Sequence, residues 1–242
     1  VPLVALAGAI HAVLHPEHAY TLSAKDILLA LAEVELKRSR SFSSRDIGDE
    51  GTLAQLLALS MFTETGLTKE TVYGLNETGL GTEVGSPKLL AGVQNTPYWV
   101  EKTEHMPSHL AKLEPDRPAA AYMYLALGLD DPSPSLPHWL SEIVARTSGD
   151  FTGRLSRIAY DLALIDPEAS KQVEQAAISM LRHKPNLVAR FLGLADKRSS
   201  NFSSAFAVDV LERLLPSQST PDEQGKILKA LAIEYSTLNR MN

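Results

Sequence analysis

Apolar positions recur along this chain at spacings of three and four residues, while strict apolar–polar alternation is scarce. The pattern predicts helix nearly throughout and an all-α fold. A first helix is predicted over Pro2 to Leu14, with Pro2 suited to a first turn and Pro16 ending the run. Ser23 is a good N-cap for Ala24 to Lys37, where Ile27, Leu28, Leu31, Val34 and Leu36 form a broad apolar face. Thr52 to Thr63 is a third, nearly all-apolar helix, and Thr68 caps a fourth through Leu75. Later helices are predicted at His138 to Arg146, Thr152 to Leu164, Pro167 to Arg182, Asn186 to Asp196, Ser204 to Leu215 and Thr220 to Asn239. Asp166-Pro167-Glu168 and Pro221-Asp222-Glu223 carry start signals, a Pro with acids in the first turn. No fixed repeat with shared marker residues aligns these helices.

Two stretches break the periodicity. Gly74, Gly79, Gly81, Gly85 and Gly92 crowd one segment, read as a mobile arm with a short helix at Pro87 to Val93. Asp130-Asp131-Pro132-Ser133-Pro134-Ser135-Leu136-Pro137 reads as a stiff connector. The expected organisation is an irregular helical bundle of two lobes. Residues 1–129 form the first, with the Gly-rich arm at 74–97; residues 130–137 connect it to the second, residues 138–242.

At 242 residues, with 44% hydrophobic and 21% charged positions, the chain can build a sizeable core without staples. The absence of cysteine excludes disulfides, thiolate metal sites and a Cys nucleophile, and is compatible with a reducing, cytoplasmic setting. Val1 to Leu14 is too short for a bilayer and lacks a basic leader, so a core helix is expected there and no membrane partner. No Met opens the chain, which fits a native start upstream. The net charge of −6 argues against a generic polyanion binder. It is uneven: residues 1–115 hold 9 Lys/Arg against 14 Asp/Glu, and residues 116–242 hold 14 against 15.

One motif occurs twice. Lys37-Arg38-Ser39-Arg40-Ser41-Phe42-Ser43-Ser44 and Lys197-Arg198-Ser199-Ser200-Asn201-Phe202-Ser203-Ser204 share K-R-S-x-x-F-S-S. Each follows an apolar helical run, so each is expected to place cations and hydroxyls where a helix ends. If the two met, Lys37, Arg38, Arg40, Arg45, Lys197 and Arg198 would face one anion-binding groove, with Arg182, Lys184 and Arg190 nearby. The plainer account is preferred: cations closing one helix, Ser capping the next, Phe sealing the joint. Arg38, Arg40 and Ser41 would also suit a basophilic kinase.

Other chemistry is thin. His11, His15 and His18 cluster, and His105 and His109 repeat the i, i+4 spacing, but neither H-E-x-x-H nor a third ligand at standard spacing occurs. Met61 to Tyr73 resembles the turn and second helix of a helix-turn-helix, with Gly66 at the turn and Val72 inward. Phe62 stands where a small residue belongs, and Glu70 and Glu77 would repel phosphate, so a plain helical hairpin is preferred. The glycines form no phosphate loop, and no G-x-S-x-G occurs.

The expected function is that of a non-enzymatic interaction or assembly protein. It would act through protein–protein contacts and self-association as a homo-oligomer, without cofactors. The alternative is a nucleocapsid-type protein packaging single-stranded RNA, by analogy of architecture. A helical metal enzyme using His11, His15 and His18 is a third reading.

Overall fold

The computed structural model describes residues 23–241, except 105, 114, 115, 132, 148, 150, 193–200, 218 and 219. The helix expected at Pro2 to Leu14 and the histidines at 11, 15 and 18 lie outside the described residues.

The all-α expectation holds. In chain order the helices are α1 (Ala24–Phe42), α2 (Thr52–Ser60), α3 (Lys69–Glu77), α4 (Ser86–Gln94), α5 (Arg117–Leu127), α6 (Leu136–Arg146), α7 (Phe151–Ala163), α8 (Pro167–His183), α9 (Val188–Leu192), α10 (Asn201–Leu214) and α11 (Pro221–Met241). A π-helix, Ser43–Ile47, continues α1 directly. Three two-residue strands, β1 (Leu67–Thr68), β2 (Trp99–Val100) and β3 (His109–Leu110), form an antiparallel patch in the order β1-β3-β2. Leu67 pairs with Leu110, and Trp99 with Leu110 on the other side.

Local chemistry explains the helix starts. Ser23 and Asp26 form a reciprocal capping box on α1: Asp26 N donates to Ser23 Oγ at 3.2 Å, and Ser23 N donates to Asp26 Oδ2 at 2.9 Å. Thr68 caps α3 and Asp166 caps α8, as their sequence signals indicate. Helix α5 was not among the expected elements. Asp116 caps it, Pro118 sits in its first turn, and Gly128 closes it in the left-handed region.

The turn resembling a helix-turn-helix is built differently. Gly66 adopts φ 96°, and Leu67–Thr68 then pairs with β3 before α3 begins. Phe62 is buried, stacked on Phe151 with ring centroids 5.8 Å apart. The segment is a strand-bridged hairpin, with Val72 inward as expected.

The Gly-rich stretch, expected to be a mobile arm, is folded onto the body. Leu75, Leu80, Val84, Leu89 and Val93 are all buried. The Asn76 amide donates to Leu80 O at 2.8 Å and Gly81 O at 3.0 Å, while Ser86 Oγ donates to Asn76 Oδ1 at 2.5 Å. One buried side chain thus satisfies the backbone of the loop around it, which removes the freedom that glycine density suggests. Gly92 on α4 lies against the π-helix so closely that a Cβ would strike the Asp46 carbonyl and Ile47.

The connector at 130–137 divides the chain without dividing the core. Leu129 and Leu136 are buried, and Gln172 Nε2 on α8 donates to Leu129 O at 3.1 Å. Helix α5 before the connector packs on α7 after it, and α3 packs on α6. The buried side chains from both sides form one continuous cluster.

Candidate functional site

The first copy of the K-R-S-x-x-F-S-S motif lies inside a helix rather than at its end, a correction to the expected layout. Lys and Arg are good helix formers, and no Gly or Pro follows until Gly48, so α1 runs on to Phe42. Long-range contacts hold it in that form. Buried Ser39 donates to Leu36 O at 3.0 Å and accepts from Tyr122 Oη at 2.8 Å. Buried Ser43 accepts from Leu53 N at 3.2 Å. The ladder then widens into the π-helix, which Gly48 ends at φ 98° with its N–H on Ser43 O.

This α–π rod presents Lys37, Arg38, Arg40 and Arg45 to solvent. Arg38 Nη1 lies 3.6 Å from Glu35 Oε2. Arg45 grips Asp46 with two hydrogen bonds of 2.9 and 2.8 Å and lies over the Phe42 ring, 4.8 Å from its centroid. The pairing raises the Arg45 pKa and lowers that of Asp46, with the hydrogen bond between them the main cause in each case. Half-buried Phe42 packs edge-on against Tyr98 at 6.0 Å, and Tyr98 Oη donates to Glu35 Oε1 at 2.5 Å. Burial first, then that bond, pushes the Tyr98 hydroxyl above the ordinary tyrosine range. Lys37 and Arg40 make no ion pair with a described residue.

The remaining candidate cations are placed elsewhere. Helix α1 packs on α5 and α2, whereas Arg182, Lys184 and Arg190 belong to segments packed on α6 and α7. Arg182 is exposed in the last turn of α8. Lys184 Nζ lies 3.7 Å from Glu142 Oε1, and Glu142 Oε2 also accepts from Arg146 Nε at 2.8 Å. Arg190 Nη1 donates to Ala145 O near the end of α6. Arg190 borders a small cleft with Arg154, Glu64, Thr147, Gly149 and the Phe62–Phe151 pair. Its inner volume is about 10 Å³, room for about one water. Lys197 and Arg198 lie outside the described residues.

His109 is buried with Nδ1 2.8 Å from Pro107 O; His105 lies outside the described residues. Among the described residues, no three His, Cys, Asp or Glu side chains are placed to share a metal ion, and no helix is long and apolar enough to cross a membrane.

A different surface emerges at the end of the chain. Helix α11 packs chiefly against α10. Ile227, Ala230 and Leu231 form its inner face. Leu228, Ile233 and Tyr235 nonetheless point outward, exposed by 52%, 42% and 43%. Leu228, Ala232 and Tyr235 follow i, i+4, i+7 spacing and so line one side of the helix. Tyr235 Oη donates to Glu212 Oε1 on α10, which holds its ring beside that helix. The signal for this surface was present in the sequence: Ile227-Leu228, Leu231-Ala232-Ile233 and Tyr235 are too many apolar positions for one helical stripe.

Comparison with protein-family models, curated proteins and solved structures finds no significant match to this chain.

Proposed function

We propose that this chain is a non-enzymatic assembly protein that associates with further copies of itself through its C-terminal helical hairpin. The supporting observation is α11: a 21-residue helix seated on one main neighbour, with Leu228, Ala232 and Tyr235 exposed along one side and Ile233 exposed on another. Exposed apolar side chains spaced along one helix mark association surfaces when they lie close enough to be covered together. The test is light scattering after size exclusion over a dilution series. Self-association predicts a mass above the 26.3 kDa of one chain that falls on dilution. Leu228→Asp with Ala232→Asp, on one side of the helix, should give the single-chain mass at all concentrations with unchanged helicity. A wild-type chain that stays at 26.3 kDa at high concentration would defeat the proposal.

The rod of α1 favours a second reading, binding of single-stranded RNA along Lys37, Arg38, Arg40 and Arg45. These four exposed cations share one continuous helical element and outnumber Glu35 and Asp46 beside them. Replacing Lys37, Arg38 and Arg40 with Ala should weaken a gel shift and reduce the slope of affinity against salt. Absence of any shift at low salt removes this reading.

A further inference from the structure

We propose that Ser41 is a phosphoryl-acceptor site for an arginine-directed serine kinase, and that Arg38 and Arg45 clasp the phosphate it receives. The site shares Arg38 and Arg45 with the second reading, but its phosphorylation does not depend on RNA binding. Four serines lie between residues 39 and 44, and the fold separates them. Ser39 and Ser43 are buried and spend their hydroxyls on Leu36, Tyr122 and Leu53. Ser41 and Ser44 are exposed, and neither hydroxyl bonds to another described residue. Of the two exposed serines only Ser41 has an arginine three residues before it, Arg38, and a large apolar residue, Phe42, follows it.

The rod supplies the receptor. Arg38 lies about one turn before Ser41 and Arg45 about one turn after, so all three share a side of the helix. Both guanidinium groups reach solvent, with side chains 60% and 64% exposed. Arg38 gives up little by turning from Glu35, since an exposed pair at 3.6 Å contributes almost nothing. Arg45 keeps N–H donors beyond the two it gives to Asp46. A phosphoserine offers three strong acceptor oxygens to these forks. Ser41 is exposed two residues before the hydrogen-bond ladder changes from α to π, and a kinase that needs an extended substrate must open the turn held by the bonds of Ser39 and Ser43.

In the transfer, Ser41 Oγ attacks the γ-phosphorus of Mg·ATP. The new O–P bond forms as the bond to the β-phosphate oxygen breaks, the hydroxyl proton passes to the kinase's base, and ADP leaves. The charge around Ser41 then changes. From Glu35 to Asp46 four cations stand against two carboxylates, a surplus of two, which a phosphate of about −2 charge cancels. Modification therefore removes the attraction of this surface for polyanions.

The test incubates the folded full chain with Mg·ATP and the catalytic subunit of an arginine-directed serine kinase, and locates the phosphate by tandem mass spectrometry. One phosphate on Ser41 is expected, absent in Ser41→Ala and retained in Ser44→Ala. Arg38→Ala should slow labelling roughly tenfold, the loss of one charge-assisted hydrogen bond. Clasping is read separately by phosphorus NMR. The second ionisation of phosphoserine should fall below about 6 and return toward it in Arg45→Ala. Label on Ser44 alone, label on a peptide of residues 35–47 but not on the folded chain, or no label on either would overturn the site. An ionisation unchanged by Arg45→Ala would overturn the clasp.

Discussion

Helices α1 and α11 are of similar length, 19 and 21 residues, and each turns one face to the core, yet they show solvent opposite chemistry. Leu28, Ala32, Leu36 and Ser39 of α1 are sealed against the body, and the outer side carries Lys37, Arg38 and Arg40. The inner face of α11 holds Ile227, Ala230 and Leu231 together with buried Glu234, and Leu228, Ile233 and Tyr235 stay exposed on the other sides. Helix α1 is also tied by polar bonds to distant chain, Ser39 to Tyr122 and Glu35 to Tyr98, whereas α11 rests mainly on α10. Val34, expected on the apolar face of α1, is 67% exposed, so α1 leaves one large apolar side chain outward among its cations, where α11 leaves three. A helix that spends most of its apolar residues on its own fold meets partners mainly through charge, and one with several left over can do so through burial.

The largest effect should come from the sealed faces. Leu36→Ala removes a buried side chain of α1, so denaturant titration should show a loss of about 2–5 kcal/mol spread over the whole domain. Leu231→Ala, the matching change on α11, should act locally: amide exchange in α11 accelerates while the remaining helices keep most of their protection. Equal global losses from the two would erase the contrast.

A smaller effect separates two serines of one motif. Ser39→Ala leaves the buried Tyr122 hydroxyl without its acceptor and should cost about 1–3 kcal/mol. Ser41→Ala, two residues on and exposed, should stay within about 0.5 kcal/mol of wild type.

The smallest effect is at the start of α1. Hydrogen bonds from the Ser23 side chain, then from its backbone, hold the Asp26 carboxyl below its ordinary value of 3.8. A carboxyl depressed in the folded state supports the helix fully above that ordinary value and loses its contribution as pH falls through the lower folded one. Protection of the first-turn amides, taken relative to the intrinsic exchange rate at each pH, should therefore fall on acidification, and Asp26→Asn should flatten that dependence.

Much of the fold was legible because its signals are local. Ser23, Thr68 and Asp166 announce their helices through cap chemistry that needs no partner, and the positions of α2, α6, α7 and α8 follow their apolar stripes. Helix α5 was harder because its stripe is mostly alanine, Ala119, Ala120 and Ala121, which gives a faint period despite a sound cap at each end. The packing of the Gly-rich segment was not legible because it turns on Asn76, whose hydrogen bonds depend on where the loop carbonyls come to lie. The end of α1 depended on Tyr122, far along the chain, which no local rule connects to Ser39. As for the candidate site, exposure of Lys37, Arg38, Arg40 and Arg45 was foreseeable from charge alone, but the carboxylates answering Arg38 and Arg45 were not.

The π-helix at Ser43–Ile47 sets how far the chain length can change there. Its one wide turn takes up a residue more than an α-turn would. Each helical residue advances the next by about 100°, so deleting one position there would swing Ile47 out from beneath Gly92. A shorter chain would need a different lid over that glycine, and length changes in this stretch should be tolerated only alongside changes in α4.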